Sequence, residues 1–140
     1  MRNVAATLRF RTRGSGLMEI TEEVRNWLGN QGVTTGLLTL FCRHTSASLL
    51  IQENAARAVR SDLERFFALI APEDPSRYEH DDEGPDDMPA HLRAALTPVQ
   101  LSIPVSAGRM MLGTWQGIYL FEHRHRPHER EIALHVIGDG

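Results

Sequence analysis

The sequence predicts an α+β domain, and three observations support this class. Apolar residues alternate with polar ones in several segments, which is typical of half-buried strands. Two other segments carry apolar residues at helical spacing. The strands come in runs rather than in regular alternation with helices, so antiparallel pairing is expected. With 140 residues, 41% of them hydrophobic, the chain fits one domain over residues 1–140.

The first half of the chain contains three predicted strands and a helix. Alternation over residues 4–10 predicts the first strand. Thr21 is a predicted N-cap for a helix whose apolar stripe includes Val24 and Leu28. Residues 35–42 are rich in strand-forming residues, and a further extended segment is predicted over residues 46–52.

A longer helix is expected next, with Asn54 as its cap and Pro72 at its end. Its apolar residues have helical spacing: Val59, Leu63, Phe66, Phe67 and Ile70. Residues 72–88 form a long polar loop, and such loops are usually functional or disordered. Pro89 suits the first turn of a short third helix over residues 88–96.

The last third is predicted to consist of strands. Residues 99–105 alternate, and residues 107–109 form a hairpin turn. One long strand is predicted from Met110 to Glu122, and a last strand carries apolar residues 132, 134 and 136 on one face. Two main helices, a short third and several antiparallel strands result.

Composition limits the classes of partner. The net charge of −3 argues against a broad nucleic-acid surface. Cys42 is the one cysteine, and its apolar neighbours predict a buried side chain rather than a reactive thiol. No apolar run is long enough for a membrane span, and residues 1–10 lack the apolar core of a signal peptide. A cytoplasmic protein without membrane contact is therefore expected.

The candidate chemistry lies in three polar clusters that contain most of the seven histidines. In the first, His44 follows a predicted strand and precedes three hydroxyl residues, Thr45, Ser46 and Ser48. An imidazole there could ligate a metal or act as a base, and the hydroxyls could bind phosphate. A turn with polar capping residues explains the same pattern.

The second cluster is the acidic loop between His80 and His91, which includes Asp82. Histidines with carboxylates could bind zinc, whereas the aspartates alone would suit magnesium. A solvated acidic loop is the alternative.

The third cluster begins where the long predicted strand ends. On a strand, His123 would share one face with His125, and Glu122 the other face with Arg124. Arg124 and Arg130 flank a predicted hairpin turn, where they could bind phosphate or remain exposed charges.

Together these segments resemble one family over nearly the whole chain. The carrying segments are His44–Ser48, Asn54–Leu63, His80 through Pro89-Ala90-His91, Leu112-Gly113-Thr114-Trp115-Gln116-Gly117 and Glu122-His123-Arg124. They resemble the YjbQ-like family, also called the secondary thiamine-phosphate synthase family. The resemblance implies two packed antiparallel sheets, a homotrimer, and a histidine-rich metal site near a subunit interface. It also implies a secondary activity that joins an aminopyrimidine diphosphate to a thiazole phosphate.

The chain departs from the family pattern just before Ala90-His91, where many members carry Asn and this chain has Asp86-Asp87-Met88. The added charge could strengthen metal binding or weaken phosphate binding.

The working hypothesis is an enzyme with a divalent metal, either zinc at the histidines or magnesium with the diphosphate. Its expected metal ligands are His44, His80, His91 and Asp82. Its expected catalytic residues are His44, His91, Glu122 and His123. The residues expected at a small phosphorylated substrate are Thr45, Ser46, Ser48, Trp115, Gln116, Arg124 and Arg130. The alternatives are a metal-dependent hydrolase of a phosphorylated metabolite and a non-catalytic trimer that binds a metabolite or metal.

Overall fold

A computed structural model describes all residues from Met1 to Gly140. Three α-helices are present: α1 (Thr21–Gly29), α2 (Arg57–Ile70) and α3 (Asp87–Leu96). The eight strands are β1 (Arg2–Arg11), β2 (Gly16–Glu19), β3 (Thr35–Cys42), β4 (Ala47–Glu53), β5 (Gln100–Ser106), β6 (Arg109–Met110), β7 (Gln116–Glu122) and β8 (Glu129–Asp139). None of the helices is long and apolar enough to cross a membrane.

The strands form two antiparallel sheets, which confirms the predicted α+β class. The larger sheet has the order β1-β8-β3-β5-β6, and the smaller has the order β2-β7-β4. One core cluster contains buried residues from both sheets and from α1, among them Leu38, Leu120, Leu134 and Val24. Cys42 also belongs to this core, and its burial raises the thiol pKa to about 11.

The long strand predicted from Met110 to Glu122 is wrong, because the chain changes sheets within it. Residues 109–110 pair with β5 in the larger sheet, whereas β7 pairs with β2 and β4 in the smaller one. A five-residue loop makes the crossing. The Gln116 side-chain oxygen accepts a hydrogen bond from the Gly113 N–H at 2.8 Å and closes the loop on itself.

Both predicted helix caps are also wrong. The hydroxyl of Thr21 donates to Glu19 at 2.8 Å and accepts from the Ile118 N–H at 2.8 Å, so it joins α1 to β7 instead of capping. Helix α2 begins at Arg57, so Asn54 is too far from its first turn to cap it. There the Glu53 carboxylate accepts from the N–H groups of residues 55 and 56 just before the helix.

Helices α2 and α3 pack on the smaller sheet, and this layer forms one wall of the site. The Phe67 ring meets Phe121 of β7 edge-on, with centroids 5.4 Å apart. No residue of α2 is fully buried, and three of its apolar side chains are exposed: Phe66, Leu69 and Ile70. The strand β2 and a short 3₁₀ turn at Pro75–Arg77 were not predicted.

The pairing of β3 with β8 requires glycine where Gly36 faces Gly138. A Cβ on Gly36 would lie 2.2 Å from the Ile137 carbonyl oxygen, which is backbone and cannot move aside. We therefore expect Gly36→Ala to lower the free energy of unfolding by about 3 kcal/mol, measured by urea denaturation. Gly29→Ala is the control, since no atom lies within 4 Å of its Cβ position. Its effect should stay below about 1 kcal/mol. Equal stabilities for the two variants would contradict this account of the register.

Candidate metal and substrate site

Two of the four predicted metal-ligating groups, His80 and His91, meet an unpredicted one, Asp87, at the start of α3. His80 Nε2 lies 2.8 Å from Asp87 Oδ2, and His91 Nε2 lies 3.3 Å from the same oxygen. The ligand atoms of the three residues all lie within 4.8 Å of one another. We call His80, Asp87 and His91 the triad.

Helix geometry explains half of this arrangement. Asp87 is the first residue of α3, and His91 follows four residues later on the same helical face. His80 comes from the polar segment before the helix. Asp87 is only 3% exposed, while both histidines reach the surface. The triad is therefore a buried carboxylate with two accessible imidazoles above it.

Arg124 positions the carboxylate of Asp87. Its Nη1 donates to Asp87 Oδ1 at 2.7 Å and its Nε donates to Asp86 Oδ2 at 3.1 Å. The third nitrogen, Nη2, donates to the Glu83 carbonyl at 3.0 Å. Since Arg124 binds one oxygen of Asp87, the other oxygen remains directed at the two histidines.

The pKa values show how this cluster distributes charge. The hydrogen bond to Asp87 raises the pKa of His80 above its usual value. Burial acts to raise the pKa of Asp86, but hydrogen bonds from the His125 N–H and from Arg124 outweigh it and lower that pKa. His80 therefore tends to carry a proton beside Asp87. A metal cation bound at the same place would also balance the negative charge of the Asp87 carboxylate.

The donor set of the triad fits a divalent metal. Two imidazole nitrogens and one carboxylate oxygen are ligands that zinc and similar transition metals accept. Magnesium prefers an all-oxygen environment, so the two histidines disfavour it. Three protein ligands also leave coordination positions for a substrate.

A second buried cluster lies at the end of β7, around Glu122. Arg130 donates to Glu122 Oε1 through Nε at 2.8 Å and binds Oε2 through Nη2. Thr12 donates to Oε1 at 2.8 Å, and the Arg124 N–H donates to Oε2 at 3.1 Å. Burial acts to raise the pKa of Glu122, but these bonds lower it. Glu122 and Arg130 are 1% and 4% exposed, so this pair is internal.

His123 enters the interior on the other side of the smaller sheet. Its Nε2 lies 2.9 Å from Ser48 Oγ, and the Thr97 hydroxyl donates to the same serine. Burial and the nearby charge of Arg93 lower the pKa of His123 to about 3. Its Nδ1 is buried without a partner, so a proton there would have no acceptor. His123 is therefore a neutral, internal group.

The structure separates several residues that the sequence analysis grouped together. His44 Nε2 accepts a hydrogen bond from the Glu131 N–H at 2.7 Å, away from the triad. Burial and the charge of Arg130 lower its pKa. Ser46 accepts from Arg130 at 3.0 Å, and Thr45 is exposed. Ser48 is fully buried beside His123.

Trp115 and Gln116 lie at the opposite end of β7 from Glu122 and Arg124. Seven strand residues separate the ends by about 20 Å, at roughly 3.3 Å per residue. Within one chain, Trp115 and Gln116 therefore cannot reach a substrate at the triad.

Asp87 is the principal site residue that sequence reasoning missed. Asp82 was the expected ligand, but its carboxylate lies 3.4 Å from Nδ1 of His80 and is largely exposed. The spacing of four between Asp87 and His91 on a predicted helix was the available signal. The structural role of Asp86, which binds Arg124 and the His125 N–H, had no signal in the sequence.

A cleft of roughly 340 Å³ lies next to this region, beyond His125. Its walls include Ser15, Glu64, Glu73, Arg93, Phe121 and Glu122. His125 lines the cleft, and its N–H donates to Asp86 at 2.9 Å. The cleft therefore adjoins Asp86, the residue before Asp87 of the triad. A volume of this size suits a small metabolite.

The buried His123 predicts acid sensitivity. Its pKa is about 3 when folded and near 6.5 when unfolded, so only the unfolded state gains a proton between these values. Stability should therefore fall as the pH drops below about 6.5, by roughly 2 kcal/mol down to pH 5. His123→Gln should remove this component from urea denaturation measured at both pH values.

His125→Gln is the control for this experiment, since it leaves the buried imidazole in place. It should retain the wild-type loss of stability. An unchanged pH dependence in His123→Gln would contradict the assignment of a buried neutral imidazole.

Comparison with known proteins agrees with the observed fold. The profile of the family described as "UPF0047 protein YjbQ-like" matches residues 6–139. A UPF0047 protein of Synechocystis is 53% identical over 128 residues, which cover 91% of this chain and 87% of the relative. The UPF0047 protein YjbQ of Escherichia coli O157:H7 is 43% identical over 134 residues, covering 95% and 96%.

Solved structures give the same result. The crystal structure of a conserved hypothetical protein from Thermus thermophilus has a TM-score of 0.82 and 32% identity, covering 94% of this chain and 99% of that one. A YjbQ-like protein of Sulfolobus solfataricus superposes with a TM-score of 0.87 at 22% identity, covering 99% and 100%, which supports the fold alone. The chain therefore belongs to the YjbQ-like UPF0047 family.

Proposed function

We propose that this protein is a metal-dependent enzyme that acts on a small phosphorylated substrate. Its proposed reaction joins an aminopyrimidine diphosphate to a thiazole phosphate, giving thiamine phosphate and pyrophosphate. The observation that carries the proposal is the triad, in which two accessible histidines share one oxygen of a buried carboxylate.

The proposed transfer is a displacement. The thiazole nitrogen forms a bond to the methylene carbon of the pyrimidine, and the bond from that carbon to the diphosphate oxygen breaks. The electron pair leaves with pyrophosphate. A divalent cation bound by His80, Asp87 and His91 would stabilise the negative charge of that leaving group as a Lewis acid.

The chain's own residues would position the reactants. Arg124 fixes the direction of the Asp87 carboxylate and keeps one oxygen free for ligation. All three of its guanidinium nitrogens are already engaged, so its proposed role is to orient the ligand rather than to bind phosphate. Glu122 and His123 are each 1% exposed, and we assign them positioning roles at the end of β7.

A metal-dependent hydrolase is the second candidate, favoured by one observation. Three protein ligands, two of them accessible imidazoles, leave room for a metal-bound water, as in catalytic zinc sites. The two candidates would share the triad and differ only in the group that attacks the substrate.

Assembly as a homotrimer belongs to the same proposal. The exposed apolar side chains of α2, including Phe66 and Leu69, support a further subunit contact in this region. The family resemblance supplies the number of subunits.

The test of the function is product analysis with both thiamine precursors, separately with zinc, manganese and magnesium. We expect thiamine phosphate and pyrophosphate in equal amounts, abolished by a chelator. His91→Ala should lower the rate at least about 100-fold, because losing a ligand costs more than losing an outer hydrogen bond. His135→Ala, which changes a histidine on the outer face of β8, is the matched control.

Each other product would be informative. Pyrophosphate with the pyrimidine alcohol, and no thiamine phosphate, would replace the transferase proposal with the hydrolase. No turnover of these precursors or of a phosphoester panel would contradict both enzyme proposals.

A further inference from the structure

A second cavity lies far from the triad, at the opposite end of β7. It has a volume of roughly 540 Å³, within the range of small-molecule sites. The end of α1, the turn at the start of β6 and the loop between β6 and β7 form its walls. Its lining residues include Arg25, Leu28, Arg109, Leu112, Thr114 and Gln116.

The charged side chains that line this cavity are both arginines, although the protein as a whole has a net charge of −3. Arg25 and Arg109 line it, and no acidic side chain does. Arg25 pairs with Glu22, one helical turn earlier on the exposed face of α1. Arg109 has no salt bridge and no side-chain hydrogen bond, so its guanidinium is available to an anion.

The rim of the cavity presents an aromatic surface without a structural role. Trp115 follows the lining residue Thr114 and is 63% exposed, and its indole N–H has no partner in the chain. Large exposed aromatic side chains of this kind commonly mark binding sites. Leu28 and Leu112 add apolar surface within the cavity.

The loop that carries Trp115 has a defined shape. The Gln116 side chain accepts from the Gly113 N–H at 2.8 Å, and the Asn54 N–H donates to the Trp115 carbonyl at 2.9 Å. At Gly117, a Cβ would lie 2.6 Å from the Glu19 carboxylate. The sequence Gly113 to Gly117 therefore fixes the loop, and the exposed indole with it, at the mouth of the cavity.

We propose that this cavity is a second ligand site for a small anionic metabolite with a planar ring. The phosphate or carboxylate of the ligand binds Arg109, and its ring stacks on Trp115. None of the residues that line this site belongs to the triad, so the two sites are distinct within one chain.

The test uses the full-length ¹⁵N-labelled protein and follows the indole N–H signals of its two tryptophans. Adenosine monophosphate is the probe, with adenosine and inorganic phosphate as probes of its two halves; flavin mononucleotide is a second planar anion. Trp115→Phe identifies the Trp115 signal, and Trp27 serves as the internal reference. We expect a saturable shift of the Trp115 signal with at least one planar anion, which binds more tightly than either half.

Matched arginine variants test the charge recognition. Arg109→Ala should weaken binding about tenfold, the typical effect of losing one charge-assisted bond. Arg65→Ala removes another exposed arginine, on α2, and should have no effect. His91→Ala should also bind the probe normally, because it changes only the triad.

Three outcomes would overturn the proposal. The first is no perturbation of the Trp115 signal by either planar anion. The second is equal affinity in Arg109→Ala and wild type. The third is loss of binding in His91→Ala, which would assign the ligand to the triad and leave the proposed function untouched.

Discussion

The buried ion pair between Glu122 and Arg130 is the interaction on which the site depends. It occurs where β7 ends, and Glu122 also accepts the N–H of Arg124 at 3.1 Å. The chain is thereby turned so that His123 enters the layer beneath α3 while Arg124 reaches the start of that helix. Removing one partner from a buried ion pair typically lowers stability by about 3–5 kcal/mol. A chain direction that separated Glu122 from Arg130 would therefore be strongly disfavoured.

This turn gives the two oxygens of the Asp87 carboxylate different partners. Arg124 binds Asp87, which is 3% exposed, from one side through a charge-assisted hydrogen bond. The oxygen that Arg124 leaves free is the one that faces His80 and His91. An Asn at position 87 would lack the charge that binds the guanidinium. Asp87 thus directs one oxygen at two histidines while Arg124 binds its other oxygen.

Much of the fold could be predicted from the sequence, because strand alternation and helical spacing are local patterns. The change of sheet after Met110 could not be predicted, because it depends on which strands pair with β6 and with β7. For the site, His80 and His91 were predicted to converge and do. His44 was grouped with them, but its imidazole is engaged by the backbone of β8. Hydrogen bonds between residues distant in sequence decide such positions, and no local pattern encodes them.

We propose that the triad binds a divalent metal. The most direct measurement is anomalous diffraction at the zinc edge from crystals of the full chain grown with zinc. We expect one strong peak in contact with the ring nitrogens of His80 and His91 and with Asp87 Oδ2. No peak at the triad, or a peak at His44 instead, would contradict it.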